Sequence, residues 1–181
     1  MGSRTIRRIG AALAACALLL LAGCASDYQY RPGFYEIRAG QVARLDVRGR
    51  VQLRNGYGAR KPVSLGKTGA AAGGEVRGDL AVMTQVFLMQ LSREIERSGD
   101  LVGGDTRKTI TARIVDASSR DRVMHEEGRV EVRLELGNGE TVTYEKVKAT
   151  GKSITITMNG AIAEAVIEAL ERPKVRAYLE S

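Results

Sequence analysis

The stretch that decides the fold is RVEVRLELGNGETVTYEKV, residues 129–147. Its first half alternates strictly between charged and apolar side chains, and the apolar ones are Val130, Val132, Leu134 and Leu136. A second apolar run covers residues 142–147, and the turn sequence Gly137-Asn138-Gly139 separates the two. A period of two marks a strand with one buried face, and a turn rich in glycine and asparagine joins such strands into a hairpin. The stretch therefore predicts an antiparallel hairpin with one wet face.

Two more stretches of the chain predict half-buried strands. Residues 109–115 and residues 44–54 alternate in the same way, and Gly49 interrupts the second run as a bulge would. The inward side chains are Ile110, Ala112 and Ile114 in the first run and Leu45, Val47, Val51 and Leu53 in the second. Residues 55–78 are rich in glycine and alanine, so they predict a turn at Asn55-Gly56 and then a loop.

Two stretches have the period of an amphipathic helix. The first runs over residues 80–97, follows the N-cap residue Asp79 and is closed by Gly99. Its apolar stripe contains Leu80, Met83, Phe87, Leu91 and Ile95, widened by Val82, Val86 and Met89. The second runs over residues 156–170 and ends before Pro173. Its inward side chains are Met158, Ile162, Val166 and Leu170.

The order of these elements is strand, helix, strand, strand, strand, helix, followed by a short tail at residues 175–179. This order predicts an α+β fold, a two-layer sandwich in which both helices cover one face of a sheet. We expect about four strands in that sheet, in a mixed or antiparallel arrangement.

The first residues of the chain have the form of an export signal. Three arginines come first, and an apolar run over residues 9–21 follows, too short to span a bilayer as a mature helix. The run ends in Leu21-Ala22-Gly23-Cys24, which resembles the lipobox of bacterial lipoproteins. The resemblance implies cleavage before Cys24, a diacylglycerol on its sulfur and an acyl chain on its amine, with no other cofactor. The alternative is an ordinary signal peptide with a chance cysteine, since Cys16 also lies in the apolar run.

The lipobox divides the chain into a signal peptide at 1–23, a lipidated tether at 24–40 and a single periplasmic domain at 41–181. Ala25 and Ser26 follow the cysteine, where an aspartate would signal retention in the inner membrane. The resemblance therefore implies an outer-membrane protein that faces the periplasm. The domain has no thiol left for a disulfide or a cysteine zinc site.

Positive charge is concentrated in one part of the predicted domain. After residue 23 the chain has 25 cationic and 21 acidic side chains, a mild excess that does not indicate a nucleic-acid partner. Residues 36–77 hold nine of those cations and only three acids. The outward face of the strand at 44–54 carries Arg44, Arg48, Arg50 and Arg54. This face is either solvated or a site for anionic lipid or lipopolysaccharide phosphates, which guanidinium groups bind in a bidentate manner.

The predicted tether holds half of the eight aromatic side chains of the protein: Tyr28, Tyr30, Phe34 and Tyr35. A purely flexible leash would instead be rich in serine, glycine and proline. The rings either fold back onto the domain, which is the usual fate of aromatics, or contact a partner or the membrane interface.

The C-terminal part of the chain combines several loose motifs: Ser98-Gly99 at the helix end, the hairpin turn at 137–139, Tyr144 in the second hairpin strand and the closing run ERPKVRAYL at 171–179. Together with the lipobox, these motifs resemble the uncharacterised YajG-like lipoproteins. The resemblance covers roughly residues 75–180 and departs at the arginine-rich first strand. It implies no catalytic residues.

The residues themselves predict no enzyme. His125 is the single histidine, and no serine lies in a nucleophile-elbow context, so neither a catalytic triad nor a metal site is indicated. Two functions remain. The first is a non-catalytic accessory subunit that binds an envelope protein complex through the tether aromatics. The second is a binding module for anionic glycolipid such as lipopolysaccharide, through the arginine face.

Overall fold

The computed structural model describes residues 27–67, 74–99, 102–122, 125–151 and 153–181. The predicted signal peptide and Cys24 lie outside these residues. The strands are β1 Tyr28–Gln29, β2 Arg48–Asn55, β3 Pro62–Lys67, β4 Glu75–Asp79, β5 Val102–Arg122, β6 His125–Leu136 and β7 Thr141–Thr150, and the helices are α1 Leu80–Ser98, α2 Ile154–Glu171 and α3 Pro173–Glu180. The predicted α+β class is confirmed.

The larger sheet has the order β2-β5-β6-β7. Strand β2 runs parallel to β5, and the other neighbours are antiparallel. The predicted hairpin is confirmed as β6 and β7, which pair from Glu126 opposite Thr150 to Glu135 opposite Thr141. The alternation puts Val130, Val132, Leu134 and Leu136 into the core. Because β5 is 21 residues long, it extends well beyond the seven residues that the sequence predicts for it.

A second sheet, with the order β1-β4-β3, lies where the sequence predicts a loop. The glycines that suggest a loop are needed here for close packing. Gly66 has φ 144, and a Cβ there would be 2.4 Å from the carbonyl oxygen of Ser119 in β5. A Cβ at Gly78 would be 2.8 Å from a methyl carbon of Leu65. Gly66 therefore allows contact between the two sheets, and Gly78 allows close packing of β3 on β4 within the smaller sheet.

Helix α1 begins as predicted, because the carboxylate of Asp79 accepts hydrogen bonds from the N–H groups of Ala81 and Val82. All five residues of the main predicted stripe are buried. The predicted widening is wrong for Val82 and Met89, which lie exposed. Leu88, Gln90 and Glu94 are buried beside the stripe instead.

Helix α2 covers β6 and β7 through the predicted stripe, all of which is buried: Met158, Ile162, Val166 and Leu170. Tyr144 of β7 donates a hydrogen bond to the carbonyl oxygen of Ala165, 2.7 Å away, and so ties the sheet to the helix. The expected tail is helical, since Pro173 occupies the first turn of α3. Lys108 holds the end of α3 through hydrogen bonds to the backbone oxygens of Leu179 and Ser181.

We predict that Asp79→Ala destabilises the fold by about 1–2 kcal/mol, the usual cost of a lost N-cap, whereas Asp79→Asn costs less because it keeps an acceptor. Burial tends to raise the pKa of Asp79, but the donors of Lys61, Val82, Arg60 and Ala81 together hold that pKa below its usual value. Because the pKa of Asp79 is lower in the folded state, its charge stabilises the protein above the unfolded pKa of about 3.9. This stabilisation is lost as the pH falls through the folded pKa.

Urea unfolding at neutral pH and at about pH 3 measures both effects. The difference in stability between the natural protein and Asp79→Asn should shrink at the lower pH. An equal difference at both values would contradict the role of the Asp79 charge.

Candidate interaction surfaces

Residues 27–45, which we call the N-terminal strap, run along the helices. At its start the strap contacts the first turns of α2, where the hydroxyl groups of Tyr28 and Thr155 are 2.7 Å apart. The Oδ1 atom of Asn159 accepts two further hydrogen bonds, from the Tyr30 hydroxyl at 2.7 Å and from the Gly33 N–H at 3.0 Å. Burial raises the pKa of the Tyr30 hydroxyl, with a smaller contribution from Tyr28, so the group remains a donor.

Helix α1 holds the other end of the strap. The guanidinium of Arg97 donates to the carbonyl oxygens of Ile37, at 2.8 Å, and Arg38, at 3.3 Å. The carboxylate of Glu94 is buried and forms an ion pair with the same guanidinium. The N–H of Leu45 then donates to the carbonyl oxygen of Ser98 at 2.9 Å. The main chain of the strap is therefore fixed against both helices.

The four aromatic residues of the predicted tether have different environments in the strap. Tyr30 is 1% exposed, so local burial is confirmed for this ring. Phe34 is 52% exposed and Tyr35 is 37% exposed, although the chain on either side of them is held. Phe34 lies next to Met89 of α1, which is itself 46% exposed, and the two line a hollow of about 350 Å³. We call Phe34, Tyr35 and Met89 the aromatic surface.

A cleft of about 470 Å³ opens between the strap and α2. Its walls include Tyr35, Ile37 and Ile167, and its charged groups include Lys148 and Glu164. These two form an ion pair at 2.7 Å, and the hydrogen bond to Glu164 raises the pKa of Lys148. Because this acid and this base satisfy each other, the pair leaves no net charge to attract an ion.

Gln90 of α1 is buried beneath the strap. Neither amide atom has a hydrogen-bond partner among the described residues. The side chain borders a small cavity of about 40 Å³ together with Phe34 and Ile37. A buried amide without partners is costly, so Gln90 adds no hydrogen bond that would hold the strap to α1.

The predicted arginine face lies on β2, at the edge of the larger sheet. Arg44, Arg48, Arg50 and Arg54 are all exposed. The predicted bulge is confirmed at Gly49, where φ is 79 and a Cβ would be 2.2 Å from the carbonyl oxygen of Thr106. Arg44 precedes β2, and its carbonyl oxygen accepts a hydrogen bond from Arg176 of α3.

The sheet register places Arg50 directly opposite Arg107 of β5. Directly opposed like charges repel one another across strands. Within the described part of the chain, no carboxylate forms an ion pair with Arg48, Arg50 or Arg107. The pKa of Lys108 is lowered by burial and, to a lesser extent, by Arg48. This end of the sheet is therefore an unneutralised positive surface.

Ion pairs neutralise several arginines on the rest of the same sheet face. Arg113 pairs with Glu135 at 2.8 Å, and Arg129 pairs with Glu145 at 2.6 Å. Arg133 also lies 3.4 Å from Glu135. The positive potential is therefore concentrated at β2 and the adjoining part of β5.

A groove of about 340 Å³ lies between β2 and α1. Its apolar lining comes from Val51 and Leu53 of β2 and from Ile95 of α1, and Ser92 and Glu96 form the helix side. Val51 and Leu53 are only half-buried. The apolar face of β2 is therefore incompletely covered here.

The next features concern His125, possible metal ligands and membrane-spanning helices. His125 is exposed at the start of β6. Among the described residues, no cluster of three or more His, Cys, Asp or Glu could hold a metal ion. In the same part of the chain, no helix is long and apolar enough to cross a membrane.

Sequence reasoning missed several residues that shape these surfaces. Asn159 and Gln90 are polar residues within helices, and neither belongs to a motif. Arg97 closes a helix, where a basic residue is common for reasons of the helix dipole alone. Arg107 precedes the predicted strand, so its position opposite Arg50 follows only from the register.

Comparisons with known proteins identify a likeness in shape alone. No protein-family model matches the chain, and no curated protein matches it in sequence. A solved structure, that of protein XCC0632 from Xanthomonas campestris, a member of family DUF330, is similar with a TM-score of 0.42. The two chains are 13% identical, and the match covers 86% of this chain and 95% of the other.

We predict that Asn159→Leu releases the start of the strap, because the buried Tyr30 hydroxyl and the Gly33 N–H both lose their acceptor. The expected loss is about 1–3 kcal/mol for the unpaired buried hydroxyl. Urea unfolding measures the loss, and limited trypsin digestion measures release of the strap through faster cleavage after Arg38, because trypsin does not cleave the Arg31–Pro32 bond. Asn159→Asp keeps the Oδ1 acceptor and serves as the matched control. Equal cleavage rates in all three proteins would contradict this account.

Proposed function

We propose that this protein is an outer-membrane-anchored, periplasm-facing lipoprotein that acts as a non-catalytic accessory subunit of an envelope protein complex. The observation that carries the proposal is the aromatic surface. Phe34 and Tyr35 project from a strap whose main chain is held by Asn159 on one side and Arg97 on the other. An exposed ring on a fixed main chain is typical of a binding surface, because little conformational entropy is lost when a partner covers it.

The neighbourhood of Phe34 supports a protein partner. Met89 is exposed beside the ring, and Arg93 and Glu96 border the same hollow. An apolar centre with a charged rim is the usual composition of a protein interface. Aromatic residues and methionine are enriched in such centres.

The position of the strap supports anchoring close to a membrane. Tyr28, which pairs with β4, is four positions after the predicted lipidation site, Cys24. Four residues reach at most about 14 Å when fully extended. A lipid on Cys24 would therefore hold the domain near the bilayer surface. The lipoprotein assignment rests on the lipobox sequence, and the likeness to the YajG-like lipoproteins rests also on the pattern of residues 75–180.

The second candidate function is binding of an anionic glycolipid such as lipopolysaccharide by the arginine face. The unneutralised pair of Arg50 and Arg107 favours an anionic ligand. Arg50 lies far along the fold from Tyr28, which is near the predicted anchor. Tyr28 is paired with Val76, Val76 is paired with Gly66, and Gly66 packs against Ser119 of β5. Arg50 is paired with Arg107, nearer the start of β5. Twelve residues separate these two positions of β5, about 40 Å at 3.3 Å per residue.

We predict that Phe34→Ser with Tyr35→Ser removes the partner. The measurement is crosslinking in living cells with a tag after Ser181, followed by mass spectrometry of the proteins recovered. The expected loss is about tenfold or more, as for residues at the centre of an interface. Val147→Ser is the matched control, since Val147 is 47% exposed on β7, in a different element of the fold. Recovery of the same partner in equal amount from both variants would refute the assignment of the aromatic surface.

We also predict that Cys24→Ala abolishes incorporation of labelled palmitate and releases the protein from the membrane fraction. Several acyl chains at about 0.8 kcal/mol per buried methylene make such an anchor nearly permanent. Cys16→Ala is the control and should be labelled normally. Labelling that persists in Cys24→Ala would show that the lipobox is a chance match.

A further inference from the structure

We propose that the free edge of β2 is the docking site for an extended acidic segment of a partner protein. The segment would add to the larger sheet as a further strand, with apolar side chains on one face and acidic side chains on the other. This inference rests on the proposed role as an interaction subunit, and it specifies the chemistry of the partner.

The backbone of β2 is available for such pairing. The order of the larger sheet ends at this strand. In the described part of the chain, no other strand pairs with its outer edge, and no side chain hydrogen-bonds to the main chain of residues 49–53. At every second residue of an edge strand, the N–H and C=O groups point away from the sheet. Such an edge is a template for an added strand.

The inner face of β2 needs apolar side chains from such a strand. Leu45 and Val47 are fully buried, but Val51 and Leu53 remain half-exposed along the groove that ends at Ile95. Successive side chains of a strand point to opposite faces, so alternate residues of an added segment would enter this groove. Apolar residues there would complete the burial of Val51 and Leu53.

The outer face of β2 needs acidic side chains. Arg50 and Arg54 are exposed on this face, and Arg107 lies opposite Arg50. Directly opposite residues on paired strands have Cβ atoms about 4.5–5.5 Å apart, so carboxylates of a strand added to β2 would reach Arg50 and Arg54. They would also relieve the repulsion between Arg50 and Arg107.

The same charges argue against other occupants. A second copy of this chain paired through β2 would bring one arginine row against another. An anionic lipid would neutralise the arginines, but it has no backbone to pair with the edge of β2 and no alternating side chains for the groove. An acidic segment of a protein meets neither obstacle.

The test uses the full chain in neutral detergent and a fluorescent ten-residue peptide of alternating valine and glutamate. We expect anisotropy to show binding that weakens as salt is raised. N-methylation at every second residue removes the donors that pair with β2 and should weaken binding about tenfold or more, while a valine–lysine peptide should not bind.

The matched variants are Arg50→Glu with Arg54→Glu on β2 and Arg120→Glu near the opposite end of β5. The affinity of the double variant for the valine–glutamate peptide should fall by about tenfold or more, and the double variant should bind the valine–lysine peptide. Arg120→Glu should bind as the natural protein does. A thermal melt confirms that each variant is folded.

Several outcomes would overturn the inference. One is no binding of the parent peptide. Another is binding that N-methylation leaves unchanged, since the contact would then be charge alone. A third is displacement by phosphatidylglycerol micelles. If the micelles displaced the parent peptide and the N-methylated peptide from the natural protein equally well, the site would be a lipid site. Phe34→Ser should leave peptide binding unchanged, so failure of the aromatic surface in cells is distinguishable from failure at β2.

Discussion

One carboxylate, that of Asp79, joins the smaller sheet to helix α1. It accepts backbone hydrogen bonds from Lys61, Ala81 and Val82 and a side-chain hydrogen bond from Arg60. Asp79 is at once the last residue of β4 and the N-cap of α1. The position of β4 therefore fixes where α1 begins. Because β1 pairs with β4, the same junction also fixes where the strap starts along the helices.

The strap adds a third layer over the larger sheet and its two long helices. The larger sheet is covered by α1 and α2, and the strap covers part of both helices. This arrangement explains why α1 buries Gln90 and Glu94, two polar residues that an amphipathic helix on a sheet would leave in water. Glu94 is matched by Arg97, whereas Gln90 is not matched by any described residue. The outer face of α1 remains open, and Met89 is exposed there beside Phe34.

The sequence predicts those elements whose signal is local. The hairpin of β6 and β7 and both long helices follow from apolar periodicity over neighbouring residues, and the N-cap at Asp79 follows from residue type. The second sheet has no such signal, because its strands are short and their glycines are required by contacts distant in sequence, such as Gly66 with Ser119. The split between buried Tyr30 and exposed Phe34 likewise depends on Asn159, 126 residues from Gly33.

The arginine face shows the same division between features that follow from local sequence and features that depend on distant contacts. Alternation along β2 predicts that its arginines share one face. Alternation does not reveal that the bulge at Gly49 sets Arg50 against Arg107, because register depends on the backbone geometry of both strands. The difference matters chemically. A row of arginines facing acids would be an ordinary neutral sheet surface, as it is on β6 and β7 of this same face.

The two surfaces have different relations to the predicted anchor. The strap begins within four residues of Cys24, whereas Arg50 lies at the other end of β5. Strand β5 is continuous over 21 residues, and the strap is hydrogen-bonded at both ends, so the domain connects these two places. A partner that reached both the aromatic surface and the edge of β2 would bind through two linked sites. Its second contact would then form at a high effective concentration, which multiplies two modest affinities without any new contact.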